Sequence, residues 1–170
     1  MHANVSLPTM KFIPIRGLLV AGALCALVIN ASGQVVELRA TINAAQENPA
    51  TSSPATGSAI MLYDVGTNLF DLIVTINGMA NTATSSHIHE AASGVNGPVV
   101  TNLGADAVYT RTGTTLTASF RGLRHGGDRL KLIQGGAYFN IHSAQFPGGE
   151  VRGQLIPRPK RLYANMDVAQ

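Results

Sequence analysis

Hydrophobic and polar residues alternate along three segments of this chain, at positions 36–43, 70–77 and 115–120. Aliphatic or aromatic side chains occupy every second position, and mostly polar side chains lie between them. This period of two is typical of β-strands that bury one face. Turn-forming pairs such as Asn77-Gly78 separate the segments. The pattern predicts an all-β fold, an antiparallel β-sandwich or barrel of the immunoglobulin-like or superoxide-dismutase-like kind.

One segment, 128–133, interrupts the strand pattern with the sequence Asp-Arg-Leu-Lys-Leu-Ile. We expect it to form a single short helical turn that ends at Gly135-Gly136. His125 precedes this segment in a polar, glycine-containing turn. Its neighbours predict that the imidazole is exposed to solvent.

The first 33 residues have the layout of a secretory signal peptide. Lys11 and Arg16 precede an apolar run at 18–29, and the small residues 31–33 follow it. The run is shorter than the roughly 20 residues that a membrane-spanning helix needs. We therefore expect cleavage after residue 33, no stable membrane span afterwards, and a secreted or periplasmic protein. A retained anchor is the alternative.

The remaining sequence predicts one β-domain at 34–156 and a flexible C-terminal tail at 157–170. The whole chain has 12 basic and 9 acidic residues. Loss of residues 1–33 would leave ten basic and nine acidic residues, a net charge of +1, and would remove the only cysteine, Cys25. We therefore expect no nucleic-acid partner and no disulfide in the exported protein.

Three histidines are the candidate functional residues. His87 and His89 lie two apart in a strand-like segment, so both should project from one face. His142 ends a second such segment, and a hairpin would bring it near Glu150. Three neutral imidazoles suit copper or zinc, with copper ahead of zinc. Asn140 and Glu150 could orient the imidazoles. Alternatively, the histidines only form hydrogen bonds across the sheet.

Several motifs occur in a fixed order between about residues 37 and 155. They are Ala45-Gln46-Glu47-Asn48-Pro49, Ser86-His87-Ile88-His89, Asn96-Gly97-Pro98-Val99-Val100, Gly135-Gly136-Ala137-Tyr138-Phe139-Asn140-Ile141-His142, and Pro147-Gly148-Gly149-Glu150-Val151-Arg152-Gly153-Gln154-Leu155. Together they resemble the CHRD domain, a family first described in chordin and found in many exported bacterial proteins. The family implies an exported, β-rich domain, and the role of chordin in growth-factor signalling does not transfer on fold resemblance. The His-x-His segment is also locally similar to the copper-binding strand of Cu/Zn superoxide dismutase.

Three functions follow as hypotheses. The leading one is an exported binding domain that holds copper, or zinc, at His87, His89 and His142, with no catalysis assumed. The second is a metal-free extracellular module that binds a protein or a polysaccharide. The third is a copper redox enzyme of the superoxide dismutase type. The sequence has no Gly-x-Ser-x-Gly elbow, and we assign no catalytic residue.

Overall fold

A computed structural model describes residues 34–158 of the chain. These residues form ten β-strands, one α-helix and two single 3₁₀ turns. The strands are β1 Val35–Asn43, β2 Thr56–Asp64, β3 Leu69–Asn77, β4 Ala83–Glu90, β5 Val99–Gly104, β6 Thr110–Thr112, β7 Thr115–Arg124, β8 Ala137–Ser143, β9 Val151–Gln154 and β10 Ile156–Pro157. The helix α1 spans Arg129–Ile133, and the 3₁₀ turns span Ala44–Gln46 and Asp106–Val108.

All ten strands belong to one antiparallel sheet, which curls into a half-barrel. Its strand order is β5-β4-β8-β9-β1-β2-β3-β7-β6, and β10 pairs with β1. β4 therefore lies beside β8 although about 50 residues of chain separate them, and β9 flanks β8 on its other side. The predicted all-β antiparallel fold is confirmed. Of the two predicted architectures, a sandwich and a barrel, the curled sheet is closer to the barrel.

The period of two decides which side chains form the core. In β1, Leu38 and Ile42 are completely buried, and in β3 every second side chain from Phe70 to Ile76 is buried. Each such aliphatic side chain contributes roughly 1.5–3 kcal/mol through its removal from water. In β4 and β8, Ile88 and Phe139 point into the same core. The neighbouring residues in those two strands must therefore point to the opposite face of the sheet.

The predicted helical turn is confirmed as α1. The Asp128 side chain accepts hydrogen bonds from the backbone N–H groups of Leu130 and Lys131, which caps the first turn. Leu132 is buried against the sheet. Gly135 follows the helix with φ +80°, a left-handed conformation that glycine adopts without steric cost.

The expectation that His125 is exposed is wrong, because only 1% of the residue is accessible. Its backbone N–H donates to the carbonyl of Asn68, and the Asn68 amide donates back to the carbonyl of His125. This pairing holds the connector against the body of the domain. The imidazole then packs edge-on against Tyr63, with ring centroids 6.1 Å apart.

The expected signal peptide at 1–33 lies outside the described residues, as do residues 159–170 of the expected tail. At the domain's C-terminal boundary, Ile156 and Pro157 form β10 opposite Arg39 and Leu38. Within residues 34–158, no helix is long and apolar enough to span a membrane.

Candidate metal centre

Adjacent strands bring the three histidines together. His87 and His89 project from one face of β4, and His142 projects from β8 beside them. In the register of these strands, Asn140 lies opposite His87 and Tyr138 lies opposite His89. One ring nitrogen of each histidine lies within 4.8 Å of the corresponding atoms of the other two. The histidines that the sequence suggested therefore form one cluster on the face of the sheet away from the core.

Two backbone carbonyls fix the orientation of two imidazoles. Nδ1 of His89 lies 2.9 Å from the carbonyl oxygen of Gly97, and Nδ1 of His142 lies 3.0 Å from that of Pro147. A carbonyl oxygen can only accept, so each Nδ1 carries the hydrogen and each Nε2 of the neutral ring carries a lone pair. Nε2 of His89 is shielded from solvent and finds no hydrogen-bond partner among residues 34–158. A buried nitrogen lone pair without a hydrogen-bond donor is suited to bind a metal ion.

The spacing between His87 and His142 also suits a shared metal ion. Nδ1 of His87 lies 3.2 Å from Nε2 of His142. Two nitrogens bound to one ion at about 2.0–2.1 Å, at a tetrahedral angle, would lie about 3.3 Å apart. The two rings meet at 65° with their centroids 5.0 Å apart, so their edges face each other. This pair therefore needs little movement to bind one ion.

The electrostatics favour neutral imidazoles. Burial lowers the pKa of His87, and the neighbouring His142 and His89 lower it further. Burial also lowers the pKa of His89, and His142 and Arg152 act in the same direction, although the bond to Gly97 opposes them. Because both pKa values fall below the ordinary value of 6.5, both rings are neutral at pH 7. Neutral imidazole is the form that binds a metal ion.

The two polar residues suggested as supports for the imidazoles have other partners. The Asn140 amide donates to a carboxylate oxygen of Glu47 at 2.6 Å. The Glu150 carboxylate accepts from the hydroxyl of Ser53 at 2.9 Å and from the amide of Asn81. The hydrogen bonds that orient His89 and His142 are made to loop carbonyls, which accept from the Nδ1–H groups. Because every residue has a backbone carbonyl, the residue types in the sequence could not predict which carbonyls bind the imidazoles.

Glu47 is a further buried acid beside the cluster. Only 8% of the residue is exposed, and burial raises its pKa to about 7 although Arg152 and Asn140 pull it down. Gly149 packs directly on the Glu47–Asn140 pair, because a Cβ atom at this position would lie 2.5–2.8 Å from Asn140 Nδ2 and the two Glu47 carboxylate oxygens. Asn140 of β8 and Arg152 of β9 thus share a polar layer with the loop residues Glu47 and Asn96.

The fold and the cluster define a single-sheet antiparallel β-domain with three convergent histidines on its polar face. The family model described as CHRD domain matches residues 38–155, which is most of the chain and nearly all of the described part. The chain therefore belongs to the CHRD family, as the sequence motifs implied. The matched region contains all three histidines and the loops that orient them. Comparison with curated proteins gives no match.

Proposed function

We propose that this protein is an exported CHRD-type binding domain that holds one copper ion, with zinc as the second choice, through His87, His89 and His142. The observation that carries the proposal is the convergence of three ring nitrogens within 4.8 Å. The orientation of His89 and His142 supports it, because their Nδ1–H groups donate to carbonyls and the lone pair of each ring is left on Nε2. A metal-free interaction module would not need this convergence.

The donor set supports copper over zinc. Three neutral imidazoles contribute no negative charge, and first-row divalent metals bind nitrogen sites most tightly at copper. His87 and His142 are only partly buried, which leaves room for water or another ligand in a further coordination position. The proposed role is binding, and no catalytic residue is assigned.

Calorimetric titration of the purified domain with Cu(II) and with Zn(II) tests this function. We expect a single copper site with micromolar or tighter affinity and weaker binding of zinc. The double variant His87→Gln/His89→Gln should lose the site. His125→Gln is the matched control, because it removes one histidine that packs against Tyr63 and belongs to no part of the cluster. It should bind copper like the wild-type protein.

Two results would contradict the proposal. Absence of a micromolar copper site in the folded wild-type protein would leave the metal-free protein- or polysaccharide-binding module as the better account. Equal copper binding by the wild-type protein and the double variant would place the metal elsewhere. Circular dichroism of every variant establishes that a lost site does not reflect a lost fold.

We also propose that residues 1–33 direct export and are then removed, so that the protein is secreted or periplasmic. The support is the order of Lys11, Arg16, the apolar run at 18–29 and the small residues after it. Expression of the full chain in a bacterium, followed by fractionation and intact-mass measurement, tests this. A mass that begins at Gln34 in the exported fraction is expected, and an intact chain retained in the cytoplasm would contradict it.

A further inference from the structure

Tyr138 stacks on the imidazole of His89. The two rings are stacked, with centroids 4.8 Å apart and planes only 5° from parallel. Tyr138 lies opposite His89 in the register of β8 and β4, so the strand pairing itself places the rings face to face. Tyr138 is 4% exposed, which leaves its ring little freedom to turn away.

The Tyr138 hydroxyl also binds Gly97, the residue whose carbonyl contacts the edge of the same imidazole. It accepts a hydrogen bond of 3.2 Å from the backbone N–H of Gly97. The carbonyl of Gly97 accepts the hydrogen of His89 Nδ1. One phenol side chain therefore contacts the face of the imidazole and anchors the partner of its edge. Together these contacts fix the plane of the ring and the nitrogen that carries the hydrogen.

Gly97 is suited to this arrangement because its peptide lies very close to β4. A Cβ atom at this position would overlap the carbonyl oxygen of Glu90. Only glycine allows the chain to approach so closely. A hydrogen bond also joins the two residues that flank the 91–97 loop, because the backbone N–H of Glu90 donates to the carbonyl of Pro98.

Arg152 supports the tyrosine ring from the next strand. Its guanidinium carbon lies 4.8 Å from the centre of the Tyr138 ring, within the range of a cation–π contact. Arg152 is only 2% exposed and donates to the carbonyl of Gln46 and to the side-chain oxygen of Asn96. β4 and β9 flank β8, so His89 and Arg152 contact Tyr138 from the strands on either side of it.

We propose that Tyr138 is a positioning residue of the metal centre, which holds the imidazole of His89 so that its Nε2 faces the site. This inference rests on the proposed function. Within residues 34–158, His87 and His142 meet other aromatic rings only edge-on or tilted. His89 is thus the imidazole that is held both on its face and at its edge.

Two variants separate the two contacts of Tyr138. Tyr138→Phe retains the stacked ring and loses the bond to Gly97, whereas Tyr138→Leu loses both. Loss of a residue that orients a metal-bound histidine typically costs about 10–100-fold in metal affinity. We expect Tyr138→Leu to fall in that range for Cu(II) and Tyr138→Phe to lose less. Tyr63→Leu is the matched control, since it removes a buried tyrosine whose hydroxyl bonds Asn68 and should leave copper affinity unchanged.

The experiment has two measurements, Cu(II) affinity by competition titration and the ring ¹⁵N shifts of His89 in the metal-free protein. The wild-type protein and Tyr138→Phe should show His89 as the Nδ1–H tautomer, and Tyr138→Leu should show both tautomers in exchange. Copper affinity and tautomer both unchanged in Tyr138→Leu would overturn the proposal while the metal site stands. Absence of copper binding by the wild-type protein would overturn the proposed function, and the ¹⁵N shifts would still decide whether Tyr138 orients His89. If Tyr138→Leu does not fold, Tyr138→Phe decides: affinity equal to the wild-type value would overturn the role of the hydroxyl.

Discussion

Replacement of Glu47 by glutamine should remove a stability penalty that grows in the wild-type protein as pH rises from 4.5 to about 7. The Glu47 carboxyl is buried and accepts a hydrogen bond from the Asn140 amide. Glutamine has nearly the same shape, and its amide oxygen can accept the same bond. The substitution therefore changes the ionisation of position 47 and leaves its packing largely intact.

The size of the effect follows from the pKa of Glu47. Burial raises it from 4.5 in the unfolded chain to about 7 in the folded protein. Between these values the folded state holds a proton that the unfolded state has released, so the free energy of unfolding falls as pH rises. Each pKa unit is worth about 1.4 kcal/mol, and the shift thus corresponds to about 3 kcal/mol by pH 8. The loss begins near pH 4.5 and is complete above pH 7.

Urea unfolding of the metal-free wild-type protein and of Glu47→Gln, from about pH 4 to pH 8, measures this difference. At about pH 4 both side chains are neutral, so the comparison there gives the steric cost of the substitution. The variant should gain stability relative to the wild-type protein by about 3 kcal/mol between pH 4 and pH 8. A difference between the two proteins that does not change with pH would refute the argument that burial raises this pKa.

Three further predictions concern stability. Burial lowers the pKa of His125, so the wild-type protein should lose stability as pH falls below 6.5. In thermal unfolding, His125→Gln should lose less stability than the wild-type protein between pH 7 and pH 5. Equal losses in the two proteins would contradict this prediction. Gly149→Ala should lower the free energy of unfolding by more than about 1 kcal/mol, because Gly149 has φ +134° and a Cβ atom there overlaps the Glu47–Asn140 pair. Gly148→Ala is its control, since a Cβ atom at Gly148 meets nothing within 4 Å, and equal costs in urea unfolding would contradict the steric argument. Phe139→Ala should lower the free energy of unfolding by about 3–5 kcal/mol, because Phe139 is completely buried on the core side of β8. A loss below about 1 kcal/mol would contradict its place in the core.

The strands and the faces of their side chains could be predicted because both depend on local pattern. The alternation that buries Leu38 and Ile42 in β1 is visible in the sequence, and it also places His87 and His89 on one face. The short helix could be predicted for a similar reason, since Asp128 caps it and Gly135 follows it.

The pairing of β4 with β8 could not be predicted from local pattern. It depends on how the whole sheet curls, and only this pairing makes His142 a neighbour of His87. The burial of His125 could not be predicted either, because its immediate neighbours are polar and its partner Asn68 lies far away in the sequence. The stack of His89 on Tyr138 follows from the register of the same two strands.

X-ray absorption spectroscopy of the copper-loaded domain is the most direct test of the central claim, because it counts the imidazoles bound to the metal. We expect three imidazoles with nitrogens at about 2.0 Å from copper, in the usual range for such bonds. The triple variant His87→Gln/His89→Gln/His142→Gln should lose this signature. Fewer than three imidazoles in the wild-type protein, or an unchanged spectrum in the triple variant, would contradict the three-histidine site.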